Sequence, residues 1–425
     1  MVKDLKEIKK FQGDLEQCMK CGFCSFWCPV YQEEKIEPSV ARGKNILIRR
    51  VLSGELELTD ELAKKIDKCT LCMTCTENCP AKAKIPPVVI AARADMTRAR
   101  GIKFPYSFVY RQLLPHRKLF GNTVKFVSRI QPLIMPKSKG TTRHLPLFLS
   151  ALGKGRNIPR VASKFLRQTV PVVNKPPEGV KTVMRVGYFT GCMTDFVFPE
   201  TGKKIINFLN KNGVEVVVPR EQGCCGAPVF LGAGDFDTGR KFADTNAKAF
   251  KDFDYVITDC GTCGSAIKDY AKFLADTPER TKAYTEFGNK IKDISEFLVD
   301  VLKLPASAYK VAPEFKGKKV TYHDSCHLNR HMGVKSQPRQ ILKSMKDIEY
   351  IEMPNADRCC GMAGAFSIHF YDLSQKIADK KVAGIDATGA DIVVTGCPGC
   401  EIQLIDSTTR HDKSVKVMHI MDLIE

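Results

Sequence analysis

The sequence predicts an α+β multidomain protein, in which an all-helical N-terminal module is followed by two repeated α/β units, each built on a parallel sheet. Three observations predict this fold class. The chain has 425 residues, enough for about two to four domains of ordinary size. Its 18 cysteines fall into two separate regions. The second region repeats its cysteine pattern at an almost constant offset, which indicates a duplicated unit.

The composition excludes several classes of protein. With 44% apolar and 27% charged residues, the chain can bury substantial cores, which excludes wholesale disorder. No stretch of eighteen residues lacks a charged side chain, so we expect no transmembrane helix. The segment from Met1 to Glu7 alternates in charge and does not resemble a secretory signal. We therefore expect a cytoplasmic protein, in which dense cysteine indicates metal or redox chemistry.

The helical module is predicted from the segments that separate its cysteines. The first hundred residues contain eight cysteines, in two runs with the spacing Cys-x2-Cys-x2-Cys-x3-Cys-Pro. Helix-like stretches lie between the runs, at Val40–Leu52 and Asp60–Lys68. This arrangement favours an all-helical module with two clusters over the compact β fold of small ferredoxins.

The spacing of both runs is that of bacterial ferredoxins, in which three cysteines of one run and the last cysteine of the other bind one cubane [4Fe–4S] cluster. The first cluster is therefore assigned to Cys18, Cys21, Cys24 and Cys79. The second cluster is assigned to Cys69, Cys72, Cys75 and Cys28. Two zinc sites are the alternative, but a zinc ribbon takes two ligands from each knuckle, whereas each run here supplies four.

The duplicated region is predicted to alternate strands and helices. Its predicted strands are 185–190, 214–218 and 255–258 in the first repeat, and 319–323, 348–352 and 391–395 in the second. Helices are predicted between strands, for example at Thr201–Asn212 and Gly239–Phe253. This alternation predicts a parallel sheet, whose carboxyl edge is where binding crevices form. Because the cysteine groups follow the strands, we expect the cysteines of each repeat to converge at that edge.

Each repeat contains an isolated cysteine, an adjacent pair followed by glycine, and a Cys-x2-Cys pair. These are Cys192, Cys224, Cys225, Cys260 and Cys263 in the first repeat, and Cys326, Cys359, Cys360, Cys397 and Cys400 in the second. Adjacent cysteines cannot comfortably form a disulfide with each other, so ligation of different irons of one cluster explains them better. The glycines that follow the pairs, Gly226 and Gly361, fit a close approach of the backbone to metal.

The repeats resemble the duplicated cysteine-rich CCG domain. This domain occurs in heterodisulfide reductase B- and D-type subunits and in the iron–sulfur subunits of glycolate oxidase, lactate dehydrogenase and anaerobic glycerol-3-phosphate dehydrogenase. The segments Thr321–Leu328, Arg358–Gly364 and Gly396–Cys400 carry the resemblance, together with the order of two ferredoxin motifs, connector and two repeats. The resemblance implies that the ten cysteines of the repeats bind one or two further [4Fe–4S] clusters, of a non-cubane type.

The resemblance also implies an electron-transfer subunit of an oxidoreductase complex, with no catalytic side chain of its own. An FAD-containing dehydrogenase subunit would oxidise a 2-hydroxy acid such as glycolate or lactate, and this chain would pass the electrons to a quinone or another carrier. The sequence has no dinucleotide-binding glycine motif and no P-loop, so the flavin is expected on the partner. The alternative is a heterodisulfide reductase D-type subunit that cleaves a disulfide at its non-cubane clusters. A zinc-stabilised scaffold with no redox role is a third interpretation. It would explain the number of cysteines but not the repeated Cys-Cys-Gly motif.

The domain division follows from cysteine content and charge. We expect a helical domain at 1–100, a basic connector at 101–183, and cysteine-rich domains at 184–312 and 313–425. The chain has a net charge of +19, and residues 101–190 hold 17 basic residues against one acidic residue. Such a surface suits either an acidic partner subunit or peripheral contact with the inner face of the cell membrane. No nucleic-acid-binding module accompanies it, so we expect no nucleic acid partner.

Histidines lie near the isolated cysteine of the second repeat. His323 and His327 flank Cys326, and His331 follows. They could supply a proton beside a cluster, or tune it through a hydrogen bond to sulfur. Because the first repeat has no histidine near its isolated cysteine, we favour the hydrogen bond.

Overall fold

The structure is a computed structural model that describes residues 5–135, 142–144 and 156–425. These residues have the predicted fold class, a helical module followed by two α/β units with parallel sheets. Part of the predicted connector, at 136–141 and 145–155, lies outside the described residues, as does the start of the chain at 1–4.

The N-terminal module is organised around one buried helix, Ile85–Arg100, which we call the central helix. Pro86 and Pro87 occupy its first turn, where a missing backbone N–H costs no hydrogen bond. All residues from Ile85 to Met96 are buried. The other helices of the module are Lys6–Lys9, Gln12–Glu16, Cys24–Trp27, Pro29–Glu34, Ala41–Leu52, Asp60–Asp67 and Thr74–Glu77, with a 3-10 turn at Glu37–Ser39. The two helices predicted between the cysteine runs are therefore confirmed.

The connector contains one long amphipathic helix, Arg117–Ile134, preceded by helical turns at Tyr106–Phe108 and Val109–Leu113. Two short strands, Thr142–His144 and Asn157–Pro159, pair in antiparallel fashion. None of the helices in the described part of the chain combines the length and the apolar character of a membrane span.

The first cysteine-rich unit is built on a five-stranded sheet. In spatial order its strands are Val173–Asn174, Val214–Val217, Met184–Tyr188, Val256–Thr258 and Ile291–Asp293. The first strand is antiparallel to its neighbour, and the other four strands are parallel. The helices of this unit are Leu166–Thr169, Cys192–Phe196, Pro199–Lys211, Phe236–Ala249, Gly261–Lys268, Tyr270–Phe273, Pro278–Lys290 and Ile294–Glu296, with π-helical turns at Pro228–Gly232 and Phe297–Val301.

The second cysteine-rich unit is built on a four-stranded sheet that is parallel throughout. In spatial order its strands are Lys416–His419, Ile392–Thr395, Lys319–His323 and Glu349–Tyr350. Its helices are Ser336–Ser344, Phe366–His369, Tyr371–Asp386 and Pro398–Arg410, with a π-helical turn at His327–His331 and 3-10 turns at Ala306–Ala308, Pro313–Phe315 and Ile420–Leu423.

The two units share one strand order, in which the first strand of each repeat lies between its second and third strands. The three strands predicted for each repeat are confirmed. The structure adds a fourth parallel strand to each, Ile291–Asp293 and Lys416–His419. Sequence reasoning missed these strands because they lie beyond the last cysteines of each repeat, where no motif marks them.

Two buried arginines join the helical module to the cysteine-rich units. Arg93 of the central helix donates to the carbonyl oxygens of Leu231 in the first unit and of Cys69 in its own module, both at 3.0 Å. Arg330 belongs to the second unit, and its side chain is 2% exposed and pairs with Glu77 of the helical module. Because a buried charge is costly without partners, these contacts fix how the three parts lie against one another.

Gly234 is the point at which the first cysteine-rich unit approaches the backbone of the central helix closely, so an alanine there should destabilise the fold. This glycine has a φ of +72°, and a Cβ there would lie 2.3 Å from the carbonyl carbon of Arg93. We expect Gly234→Ala to lower the free energy of unfolding by about 2–5 kcal/mol, combining left-handed strain with overpacking. Urea unfolding followed by circular dichroism measures the change.

Gly54→Ala is the matched control for this substitution. Gly54 also has a positive φ, +81°, but nothing lies within 4 Å of a Cβ built there. The control should lose only the conformational part, about 1–2 kcal/mol. Equal losses in the two variants would contradict a packing role for Gly234.

Candidate metal centres

The first N-terminal cysteine group lies on a tightly curled loop of the helical module. Lys20 and Gly22 have positive φ values of 59° and 84°, which curl the backbone between the cysteines. Cys21 is exposed, whereas Cys18 and Cys24 are half-buried. Burial raises the pKa of the Cys24 thiol, and the neighbouring thiols of Cys18 and Cys21 raise that pKa further.

The fourth cysteine assigned to this group comes from the other run. Cys79 is half-buried and follows the short helix Thr74–Glu77. That helix packs against Cys24–Trp27, the helix that begins with the third cysteine of the first group. The packing of these two helices places the segment that leads to Cys79 against the segment that begins with Cys24.

The second N-terminal cysteine group surrounds one small cavity. The cavity has a volume of about 30 Å³, and the cysteines that line it are Cys28, Cys69, Cys72 and Cys75. Burial raises the pKa of the Cys28 thiol to about 12. Lys44 also lines the cavity, and its buried Nζ donates to the carbonyl oxygen of Ser39 at 2.6 Å. The lysine thus places a positive charge beside thiols that would become negative on binding metal.

In the first repeat the cysteines converge beyond the ends of three parallel strands. Cys224, Cys225, Cys260 and Cys263 are buried, and Cys192 is half-buried. Hydrogen bonds from the Cys224 and Cys263 thiols to the sulfur of Cys225 lower the pKa of Cys225. The backbone N–H of Gly226 donates to the Sγ atom of Cys224 at 3.3 Å.

In the second repeat the arrangement is the same but more enclosed. The buried cysteines of this group are Cys326, Cys359, Cys360, Cys397 and Cys400. The Sγ atoms of Cys360 and Cys400 lie 3.3 Å apart. The backbone N–H of Gly361 donates to the Sγ atom of Cys359 at 3.4 Å, as its counterpart does in the first repeat.

Helix starts position one cysteine of each repeat. Cys260 is the N-cap of helix Gly261–Lys268, and Cys397 is the N-cap of helix Pro398–Arg410. The N-terminus of a helix carries a partial positive charge, which stabilises a thiolate. The Cys-x2-Cys spacing therefore places one sulfur before the helix and the next in its first turn.

The separate cysteine groups contact one another. The Sγ atoms of Cys260 and Cys397, from the two repeats, lie 4.0 Å apart. Cys72 of the helical module contacts Cys359 of the second repeat, and this contact is the largest cause of the raised pKa of the Cys72 thiol. The sulfurs therefore form a continuous series from the second N-terminal group through the second repeat to the first repeat.

The glycines after the cysteine pairs are required by local packing. Both have positive φ, +74° at Gly226 and +88° at Gly361. A Cβ at Gly361 would lie 2.5 Å from the carbonyl oxygen of Ser374, and one at Gly226 would lie 3.2 Å from the ring of Phe242. The backbone N–H of each glycine also contacts a cysteine sulfur. A close approach of these backbones to metal stays a prediction.

Lys381 is a second buried lysine that sequence reasoning did not single out. Its Nζ atom donates to the carbonyl oxygens of Asn355 and Ala356 at 2.7 and 3.0 Å. Burial lowers the pKa of Lys381 to about 8, and the thiols of Cys360 and Cys359 act in the opposite direction. No sequence signal marks this lysine, because it lies on a helix rich in exposed lysines.

The histidines of the second repeat have different surroundings. His327 pairs through Nδ1 with the hydroxyl of Ser265 at 2.7 Å, so the expected bond to sulfur is replaced by one to oxygen. His331 pairs with the carboxylate of Asp269 at 2.8 Å. His323 is fully buried, and neither of its ring nitrogens has a hydrogen-bond partner among the described residues.

Comparisons with known proteins agree with this arrangement. The family described as a cysteine-rich domain, CCG, matches residues 186–268 and 320–405, and the 4Fe-4S dicluster domain matches residues 14–83. A probable glycolate oxidase iron-sulfur subunit of Bacillus subtilis (strain 168) is 32% identical, over 99% of this chain and 97% of that protein. The chain belongs to the family of CCG-domain iron–sulfur subunits.

Other proteins are similar to the chain over different lengths. A subunit of the fumarate reductase (CoM/CoB) of Methanothermobacter marburgensis is 28% identical, over 99% of this chain and 73% of its own length. Lactate utilization protein A of Oceanobacillus iheyensis is 35% identical, over 57% of this chain and 96% of its own length. A solved structure of a hypothetical protein from Helicobacter pylori covers 98% of this chain and 75% of its own, with a TM-score of 0.53 at 10% identity, and shows the fold alone.

The buried charge of Lys381 predicts the redox behaviour of this CCG-domain subunit. Removing a cation beside an iron–sulfur group makes reduction harder, so we expect Lys381→Met to lower one midpoint potential by on the order of 50 mV. Potentiometric titration monitored by EPR measures this shift. Lys376→Met, an exposed change on the same helix Tyr371–Asp386, is the control and should leave all potentials in place. Equal effects of the two changes would contradict the role of Lys381.

Proposed function

We propose that this chain is the electron-transfer subunit of an oxidoreductase complex. In this proposal an FAD-containing subunit oxidises a 2-hydroxy acid such as glycolate or lactate, and the chain passes the electrons to a quinone or another carrier. The observation that supports this most is the continuous series of sulfur contacts, from Cys72 and Cys359 to Cys397 and Cys260. The names of two relatives, a probable glycolate oxidase iron-sulfur subunit and a lactate utilization protein, support the substrate class.

We further propose that the eighteen cysteines bind four clusters. The two cubane [4Fe–4S] clusters would be held by Cys18, Cys21, Cys24 and Cys79, and by Cys28, Cys69, Cys72 and Cys75. Two non-cubane [4Fe–4S] clusters would be held by Cys192, Cys224, Cys225, Cys260 and Cys263, and by Cys326, Cys359, Cys360, Cys397 and Cys400. The donor set supports such clusters, because all eighteen cysteines are free thiols, and thiolates are the usual ligands of iron–sulfur clusters. The proposed domains that carry them are 1–100, 184–312 and 313–425, with the connector at 101–183.

The residues of the chain would control electron transfer in three ways. When bound, iron–sulfur clusters accept and release single electrons. The buried walls of the repeats exclude water, the helix starts at Cys260 and Cys397 favour the thiolate form, and Lys44 and Lys381 offset negative charge. No side chain needs to take part in bond making, so the chemistry on the organic substrate belongs to the partner.

The exposed face around the first N-terminal group supports electron entry at this point. Cys21 is exposed, and the neighbouring Met19, Phe23 and Phe26 are 65%, 50% and 69% exposed. Exposed apolar side chains gathered in this way are typical of protein contact surfaces. A flavoprotein bound here would be close to the most accessible cysteine group of the chain.

A second candidate function is the reduction of a disulfide at the repeats. Two observations favour it: both repeats are complete, and one relative is named as a subunit of a fumarate reductase (CoM/CoB). Turnover of a thiol disulfide by the purified chain with an artificial electron donor would favour this function. Oxidation of a 2-hydroxy acid by a co-purifying flavoprotein, with reduction of this chain, would favour the first.

The ligand assignment predicts the iron content of two variants. The protein purified without oxygen should be brown and contain about sixteen irons for four [4Fe–4S] clusters. Cys225→Ser should lose about four irons and the EPR signal of one repeat, whereas Cys21→Ser should lose the signal of one cubane cluster. Each variant is the control for the other. Colourless wild-type protein, or unchanged iron and spectra in Cys225→Ser, would contradict the assignment.

We propose that the connector helix Arg117–Ile134 lies on an anionic membrane surface. Leu119, Phe126 and Leu133 recur every seven residues on one side and are 48%, 61% and 86% exposed. The polar Ser128 and Gln131 are instead buried against the protein. An amphipathic helix with an outward apolar stripe, in a segment with 17 basic residues against one acidic residue, suits a membrane face.

Co-sedimentation with vesicles tests this membrane contact. Binding to phosphatidylglycerol vesicles should be strong at low salt and weaken at high salt. Phe126→Glu should weaken it about tenfold or more, because an apolar anchor is replaced by a charge. Phe26→Glu, at an equally exposed phenylalanine of the helical module, should bind as the wild type does. Absence of binding at low salt would contradict the membrane contact and leave an acidic partner subunit as the ligand of this face.

A further inference from the structure

We propose that His323 places a ring nitrogen on iron in the second repeat, beside Cys360 and Cys400. This site would then combine nitrogen and sulfur ligands, whereas the site of the first repeat would have sulfur ligands alone. The inference rests on the proposed function, because it requires iron at the cysteines of the second repeat.

The position of His323 in the sheet directs it to the cysteine group. It is the last residue of strand Lys319–His323 and lies in register with Thr395 on the neighbouring strand. That strand leads directly to Cys397 and Cys400, at the carboxyl edge where the cysteines converge. The strand end therefore holds the imidazole at the same edge as the sulfur atoms.

The hydrogen bonding of the His323 ring is incomplete without a ligand. The residue has no exposed surface, and neither Nδ1 nor Nε2 makes a hydrogen bond of ordinary geometry among the described residues, although the backbone of Ala356 approaches the ring. A buried polar group without a partner costs about 1–3 kcal/mol, so proteins rarely keep one. Three other histidines near the cysteine groups do have hydrogen-bond partners: His327 pairs with Ser265, His331 with Asp269, and His419 with the carbonyl oxygen of Asp259.

The side chains of His323, Cys360 and Cys400 lie close enough together to reach one metal ion. A ring nitrogen of His323 and the Sγ atoms of Cys360 and Cys400 all lie within 4.8 Å of one another. Ligands of a tetrahedral ion, each about 2.0–2.3 Å from it, lie roughly 3.5 Å apart. Cysteine and neutral histidine are both good ligands for iron, and they occur together in Rieske centres.

Cys397 lies between the cysteine groups of the two repeats. Its Sγ atom lies 4.0 Å from that of Cys260, and 3.6 Å from the hydroxyl of Thr262, both in the first repeat. A nitrogen from His323 would add a ligand, beside Cys360 and Cys400, to the five cysteines assigned to the second repeat.

The duplication supplies an internal control. The residue three positions before the isolated cysteine is His323 in the second repeat and Phe189 in the first. Phe189 is 1% exposed and packs against Phe250, with ring centroids 5.7 Å apart. An aromatic ring of similar size thus fills the same place in the first repeat without a nitrogen.

Pulsed EPR of the holoprotein, with and without 15N-labelled histidine, tests the proposal. The reduced wild-type protein should show a strong nitrogen hyperfine coupling on one cluster, and the 15N label should change it. The coupling should be lost in His323→Phe, which reproduces the first repeat, and kept in His327→Asn. His323→Phe should also shift one midpoint potential downward, since histidine ligation raises the potential of iron–sulfur centres.

The outcomes separate this inference from the proposed function. No histidine coupling in labelled wild-type protein that contains about sixteen irons would overturn the role of His323 alone. A weak coupling, as expected for a hydrogen bond to sulfur, would overturn iron ligation as well. Protein without iron at the second repeat, shown by unchanged iron in Cys360→Ser, would instead overturn the proposed function. The labelled wild-type measurement decides the matter even where His323→Phe fails to fold.

Discussion

The burial of many cysteine sulfurs side by side is the constraint on which the rest of the structure depends. Burial raises the pKa of the Cys28 thiol. In the first repeat, hydrogen bonds between thiols lower the pKa of Cys225 and raise that of Cys263. Metal binding requires thiolates, so it must release these protons and bring negative charge into a buried place. Positive charge near the sulfurs offsets this negative charge. It comes from the helix N-termini at Cys260 and Cys397 and from the buried side chains of Lys44 and Lys381. Folding and metal binding are for this reason coupled.

Both cysteine-rich units bury their cysteines in the same way, at one edge of a parallel sheet. A parallel sheet brings distant segments of the chain to one edge, and the strand order is the same in both units. The helical module supplies two further cysteine groups and is held against the cysteine-rich units by Arg93 and Arg330. Because Arg330 also donates toward the carbonyl oxygens of Cys72 and Asp357, the joint between modules lies at the contact between their cysteine groups. The hydrogen bonds of Arg330 that join the helical module to the second unit therefore lie next to the contact between Cys72 and Cys359.

The sequence allowed the fold class and three strands of each repeat to be predicted, because spacing and periodicity are local signals. The assignment of the cysteines to individual clusters stays a prediction. The sequence did not reveal the fourth strands, which carry no motif. Nor did it reveal the packing of Gly361 against the backbone of Ser374, because that contact forms only when the helix containing Ser374 packs in the folded structure. The contact of Cys72 with Cys359 was equally hidden, since spacing within one domain says nothing of its packing on another. Lys44 and Lys381 were missed because a buried lysine and an exposed one have the same pattern on a helix.

The position of the connector gives the proposed electron path a direction. The series of sulfur contacts ends in the first repeat, where Cys192 is the half-buried member of its group. Arg117, at the start of the connector helix, pairs with Asp195, and its guanidinium lies over the ring of Phe196, at the helix that begins with Cys192. The amphipathic helix therefore starts beside the last cysteine group of the series. If electrons enter at the exposed first N-terminal group, they would leave beside the surface proposed to lie on the membrane, where a quinone would be within reach.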